Sequence, residues 1–158
     1  MKTKIYKIGR YVLIALIVAA ILHAFVQSAL PPETSAAESN KVGEIIEEII
    51  PPETKPGAFV QKNLRKLAHF TEFFFLGAFT SLYVVFYWNK KSAYCVQLPF
   101  GLFVGLLDET IQIFSKRGAS VTDVWIDTAG YLSASVIVFA VWYTALLIRH
   151  IYLKRRIK

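Results

Sequence analysis

Cysteine is nearly absent: the single Cys95 cannot close an intramolecular disulfide, so no disulfide framework holds this chain together. No stretch alternates polar and apolar residues strand by strand, which excludes a closed transmembrane β-barrel. Compact metal signatures such as His-Glu-x-x-His are missing, and the sequence assigns no metal and no cofactor. Acid is absent from the basic flanks on one side of the apolar runs. Lys2, Lys4, Lys7 and Arg10 precede the first run, Lys90 and Lys91 follow the second, and Arg149, Lys154, Arg155, Arg156 and Lys158 follow the last, with no Asp or Glu among them. The net charge of +7 therefore reads as anchoring against anionic membrane lipid. It does not form the basic stripe of a nucleic-acid-binding face, so no nucleic-acid partner is expected.

Apolar residues are abundant. They make up 55% of the 158 residues, too many for an ordinary soluble domain. Four long runs, 11 to 30, 64 to 88, 93 to 114 and 124 to 148, each reach the roughly 20 residues that a helix needs to cross a bilayer core. The expected fold is all-α: an integral membrane four-helix transmembrane bundle with a short extracytoplasmic amphipathic helix. The positive-inside rule places both termini in the cytoplasm, with the chain a multi-pass membrane protein. The first run is longer than a signal-peptide core of roughly 7 to 15 residues. That favours a retained signal anchor over cleavage near Ser35-Ala36-Ala37.

Residues 1–30 thus read as a signal-anchor helix and 31–61 as an extracytoplasmic helix and linker. Residues 62–148 read as a three-helix membrane core and 149–158 as a basic cytoplasmic tail. In the second region Val42, Ile45, Ile46, Ile49 and Ile50 recur on one helical face, with Glu44, Glu47 and Glu48 opposite. Such a helix lies on the outer membrane surface or roofs the bundle. Pro51, Pro52, Pro56 and Gly57 mark residues 51 to 58 as an irregular linker, and Pro99 should kink the third span or mark its true start. Gly101 with Gly105, and Gly130 with Ala134, form small-residue pairs that allow close helix approach.

The five acids in or beside the apolar runs are Glu72, Asp108, Glu109, Asp123 and Asp127, all near the outer end. Ionisable groups at membrane depth are costly and mark functional sites by default. Arg65, His69 and Glu72 share one face of the second span, Asp108 and Gln112 one face of the third with Glu109 beside it, and Asp123 and Asp127 one face of the fourth. Plainer roles exist for each: Ser120-Val-Thr-Asp123 matches a capping box, His69 with Glu72 could be a stabilising pair, and His23 and Gln27 of the first span could join the site or only bond between helices. Five carboxylates at one low-dielectric depth still need neutralising. The candidates are Arg65 and Arg117, retained protons, or a bound cation of the oxygen-seeking kind.

The ordered series Arg65-Lys66-Leu67-Ala68-His69-Phe70-Thr71-Glu72, Asp108-Glu109-Thr110-Ile111-Gln112, Arg117-x-x-Ser120-x-x-Asp123-Val124 and Asp127-Thr128-Ala129-Gly130 resembles the VanZ-like family of small bacterial membrane proteins over about residues 62 to 135. The resemblance implies importance for Lys66, His69, Glu72, Asp108, Glu109, Gln112, Arg117, Ser120, Asp123, Asp127 and Gly130. It also implies a link to resistance against teicoplanin-type glycopeptides, through the protein that gave the family its name. Two departures stand out: many relatives carry Asn where this chain has Asp127, and a glycine often stands where it has Lys116.

The expected function is an outward-facing cavity that binds, and in one version modifies, a lipid-linked cell-wall precursor or cell-surface substrate. Arg65, Gln112, Arg117 and Ser120 would bind the substrate, and His69, Glu72, Asp108, Glu109, Asp123 and Asp127 would supply acid and base. The alternative is a non-enzymatic accessory protein whose polar cluster is structural or recognises a glycopeptide, lipid or partner. No activated nucleophile stands out, since Ser120 lacks an evident base and Cys95 lies at the other end.

Overall fold

The computed structural model of the chain describes residues 2–88 and 91–156, so Lys90 of the basic connection and Lys158 of the tail lie outside the described residues. Every element is helical. Helix α1 spans Lys2–Ala29, α2 Pro32–Ile49, α3 Lys55–Tyr83, α4 Lys91–Phe114 and α5 Val121–Arg156, and α3 runs on into a π-helical turn at Val84–Trp88.

Local chemistry sets these limits. Pro32 opens α2, where its missing N–H costs no hydrogen bond, so the helix begins within Pro31-Pro32-Glu33-Thr34, a tetrapeptide that recurs at Pro51-Pro52-Glu53-Thr54. In the second copy Thr54 caps α3, its hydroxyl accepting from the Gly57 N–H at 3.1 Å with Pro56 in the first turn. Helix α3 therefore starts at Lys55, and the irregular linker expected over 51 to 58 ends at Thr54. Asn63 leaves helical geometry at φ −116° and ψ 15°, its side-chain amide donating back to the Phe59 carbonyl at 2.8 Å. Pro99 lies inside α4 and does not start it.

Three helices are long and apolar enough to cross a membrane: Lys4–Ala29, Lys55–Trp88 and Val121–Arg156. The chain is thus a membrane protein. Helix α4, the expected third span, has 24 residues, but Gln97, Asp108, Glu109 and Gln112 dilute its apolar character, and all four are buried among the other helices. Its polar groups are hidden by packing, not avoided by composition.

The tightest crossing joins α3 and α5. A methyl group on Gly77 would run into the backbone carbonyl of Tyr131, and one on Gly130 into that of Phe70. Each helix presses its backbone on the other through one glycine. The expected close approach at Gly130 is present, with Gly77 as its unforeseen counterpart. Gly101 instead leaves room for the Tyr131 ring, and Gly105 faces the Asp127 Cβ, 3.4 Å from where its own Cβ would lie. Phe73, Leu76, Val104 and Tyr131 form the core with Ala24 of α1. Deeper in the bundle the Tyr131 hydroxyl donates to Gln97 and lies 2.8 Å from the Thr80 hydroxyl, so this buried polar group is partnered.

Aromatic rings gather at the end of the bundle remote from the acids. Tyr6 and Tyr87 lie 4.7 Å apart, Phe86 and Trp142 5.1 Å, and Tyr94 and Phe139 5.0 Å. Rings at this level fit a membrane–water interface.

Candidate functional site

The polar groups converge where α1 and α4 end and α5 begins, beside the part of α3 that follows its break at Asn63. Gln112, one turn from the end of α4 and fully buried, is the junction. Its amide nitrogen donates to Asp108 Oδ2 and to Glu109 Oε1, each at 3.0 Å. Its amide oxygen accepts from the Arg65 guanidinium of α3. Spacings of three and four residues put both carboxylates within reach of one side chain, and the two amide N–H bonds serve one each.

Asp108 also accepts from the Ser28 hydroxyl of α1 at 2.7 Å. Ser115, just past α4, donates to the Ser28 carbonyl at 2.8 Å, and Arg117 donates to the Gln27 carbonyl, so the open C-terminal end of α1 is capped by the α4–α5 loop. The remaining oxygen of Glu109 accepts from the Ser120 N–H at 2.7 Å, at the mouth of α5. Glu109 is thus a link between the end of one helix and the start of the next.

His69 of α3 reaches the other way. Its Nδ1 lies 3.4 Å from Asp127 Oδ1 and 3.8 Å from Asp108 Oδ2, and all three residues are buried. Among the described residues no hydrogen bond satisfies His69 Nδ1, Asp108 Oδ1 or either oxygen of Asp127. One donor atom from each of these residues falls within 4.8 Å of the others, a set that could hold a metal ion.

Two cavities meet beside this cluster. A polar hollow of about 170 Å³ is lined by Ser28, Glu38, Arg65, His69, Glu72 and Arg117 among others. An apolar cavity of about 580 Å³ lies between α1, α2 and α3, walled by side chains such as Leu16, Ala20, Ile46, Leu67 and Phe75. Val42, Leu64, Ala68 and Glu72 border both, so the two lie side by side and share this wall. Val42 and Ile46 of α2 line the apolar cavity, though Val42, like Ile45 and Ile49 of the same face, remains exposed.

The family model described as VanZ/LLP1 matches residues 12–145, from the first helix to well into the last. The chain belongs to the VanZ/LLP1 family. The match runs beyond the stretch of about 62 to 135 that carries the sequence resemblance and takes in α1, whose Ser28 and Gln27 close the cluster. No curated protein and no solved structure matches the chain.

In this VanZ/LLP1 chain the expected site residues divide into groups. Arg65, His69, Asp108, Glu109, Gln112 and Asp127 meet in one network or in direct approach. Glu72 borders the hollow but does not pair with His69: its Oε1 lies 3.5 Å from His23 Nε2, and His69 turns to Asp127. The capping box is also rearranged. Ser120 Oγ accepts from the Thr122 N–H at 3.1 Å, and the carboxylate on the Ser120 N–H is that of Glu109, not Asp123. Asp123 is buried in the first turn of α5 and joins no ion pair or side-chain hydrogen bond among the described residues. Arg117 borders the hollow, and Ser120 contributes its N–H. Lys66 and Lys116 are exposed.

Ser28 and Ser115 escaped the sequence reading because a lone serine in or beside an apolar run has no periodic signal. Lys116 stands where relatives often carry glycine, and it is the one non-glycine residue with positive φ, 58°, among the described residues. That backbone region suits glycine, which accounts for the family preference.

Proposed function

We propose that this protein binds an anionic amphiphile of the bacterial envelope, a lipid-linked phosphate such as a polyprenyl-phosphate cell-wall precursor. The observation that carries the reading is the adjacency of the two cavities, which share Val42, Leu64, Ala68 and Glu72. An apolar cavity of about 580 Å³ suits a hydrocarbon chain, and it adjoins a hollow bordered by Arg65 and Arg117. The tail lies under α2 and the phosphate lies between the two arginines. In this reading α4 crosses the membrane as the fourth span, both termini are cytoplasmic, and the hollow faces outward, as the basic flanks favour.

Chemical modification is a second reading, favoured by His69 at the wall of the hollow with Asp127 behind it, an arrangement that orients an imidazole for proton transfer to a headgroup or water. Resistance to teicoplanin follows only if the bound precursor is one that the antibiotic also engages.

The test is binding of a fluorescent polyprenyl phosphate to the protein purified in detergent. Arg65→Ala with Arg117→Ala weakens binding by a factor of ten or more, and Ala68→Trp, which fills the shared wall, weakens it comparably. Unchanged binding in all of these variants refutes the reading. Turnover of the bound lipid, followed by mass spectrometry in wild type and His69→Gln, separates modification from binding alone.

A further inference from the structure

The geometry of His69, Asp108 and Asp127 points to a site for a divalent cation, and we propose that it holds Mn²⁺ or Zn²⁺. The inference does not rest on the lipid reading, since the three donors face one another within the bundle and only His69 borders the hollow.

Three observations support it independently. Asp127 has no exposed surface, yet neither carboxylate oxygen has a hydrogen-bond partner, and the same holds for His69 Nδ1 and Asp108 Oδ1. Buried polar atoms are nearly always partnered, so four orphans on three clustered residues mark something that fills the space between them. The spacing is within a small side-chain adjustment of a coordination sphere, all three donors lying within 4.8 Å of one another. His69 Nδ1 lies 3.4 Å from Asp127 Oδ1 and 3.8 Å from Asp108 Oδ2. Donors about 2.1 Å from a tetrahedral metal lie roughly 3.4 Å apart. Finally, the carboxylate of Asp108 is steered by outer hydrogen bonds from Ser28 at 2.7 Å and Gln112 at 3.0 Å, as carboxylates on metals commonly are.

A protonated His69 is the competing account. One imidazolium offsets one of the two carboxylates, and its Nδ1–H makes a hydrogen bond to neither. A cation among the three satisfies all the facing donors at once. One imidazole nitrogen with two carboxylates suits Mn²⁺ or Zn²⁺, whereas Ca²⁺ asks for six to eight oxygens and Mg²⁺ keeps most of its water. The absence of a compact motif in the sequence follows from the donors coming from three separate helices.

The experiment uses the whole chain, purified in detergent and stripped with a chelator, then given MnCl₂, ZnCl₂, MgCl₂ or CaCl₂ alone. With Mn²⁺ or Zn²⁺ the expected result is one bound equivalent and a saturable rise in melting midpoint, about 5–10 °C at a hundredfold excess over the dissociation constant. Pulsed electron paramagnetic resonance of the Mn²⁺ form shows coupling to one imidazole nitrogen. Asp127→Asn, which keeps the side-chain shape, folds without metal at least as stably as wild type and loses affinity by at least about a hundredfold. Failure of both metals to bind, a Mn²⁺ signal without imidazole coupling, or an Asp127→Asn variant with wild-type affinity overturns the proposal. Should Asp127→Asn not fold, the wild-type resonance spectrum decides alone.

Discussion

Replacing Gln112 with Leu keeps the side chain buried and near its size but deletes the junction of the polar network. Three short hydrogen bonds vanish, the acceptor for Arg65 and the donors to Asp108 and Glu109, together with a longer 3.4 Å bond to the Ser28 hydroxyl. The three partners are not equally exposed to the loss. Asp108 retains Ser28 and Glu109 retains the Ser120 N–H, whereas Arg65 loses its side-chain acceptor. Hydrogen bonds to charged groups contribute about 1.5–3 kcal/mol in soluble proteins, while interhelical bonds in membrane bundles average nearer 0.6 kcal/mol with a ceiling of about 1.7. Three bonds on the membrane scale give about 2–5 kcal/mol, with the largest share on the Arg65 bond. The assay is equilibrium unfolding in mixed micelles, followed by helical circular dichroism, for wild type, Gln112→Leu, Arg65→Met and the double variant. The Arg65 and Gln112 changes should couple by about 1 kcal/mol or more, because each removes the same bond. A Gln112→Leu loss below about 0.5 kcal/mol, or strict additivity with Arg65→Met, would show that the network does not bear on stability.

Gly130→Val forces a side chain against the Phe70 carbonyl and should lower stability by at least about 1–3 kcal/mol in the same assay, whereas Gly118→Ala, which meets nothing within 4 Å, should be neutral or mildly stabilising. Lys116→Gly should raise stability by about 0.5–1 kcal/mol, the relief of positive φ outweighing the added freedom of glycine in the unfolded chain; an unchanged or lower midpoint would contradict this.

Much of this architecture was legible in the sequence because helical period and charge are local properties. The spacing of Asp108 and Gln112 already put them on one face, and Gly130 already marked a close approach. Residue partners across helices are another matter. Nothing in the spacing of His69 and Glu72 reveals that the imidazole turns to Asp127 on a different helix while Glu72 meets His23. The capping motif at Ser120 was read correctly as a helix start, yet the carboxylate that serves its N–H comes from α4. Helix α4, expected as a span, falls outside the three helices apolar enough to cross a membrane, because its acids and amides, bonded inside the bundle, interrupt its apolar run.

Cross-linking of cysteine pairs in membranes tests most directly whether groups remote in sequence meet at one end of the bundle. In a Cys95→Ser background, Ser28→Cys with Asp108→Cys should be bridged rapidly by a short bifunctional thiol reagent, because those side chains touch. Ser28→Cys with Gln97→Cys should not be, since Gln97 lies three turns away along α4, beside Tyr131. Equal reaction of the two pairs, or none in the first, would contradict the convergence on which the site depends.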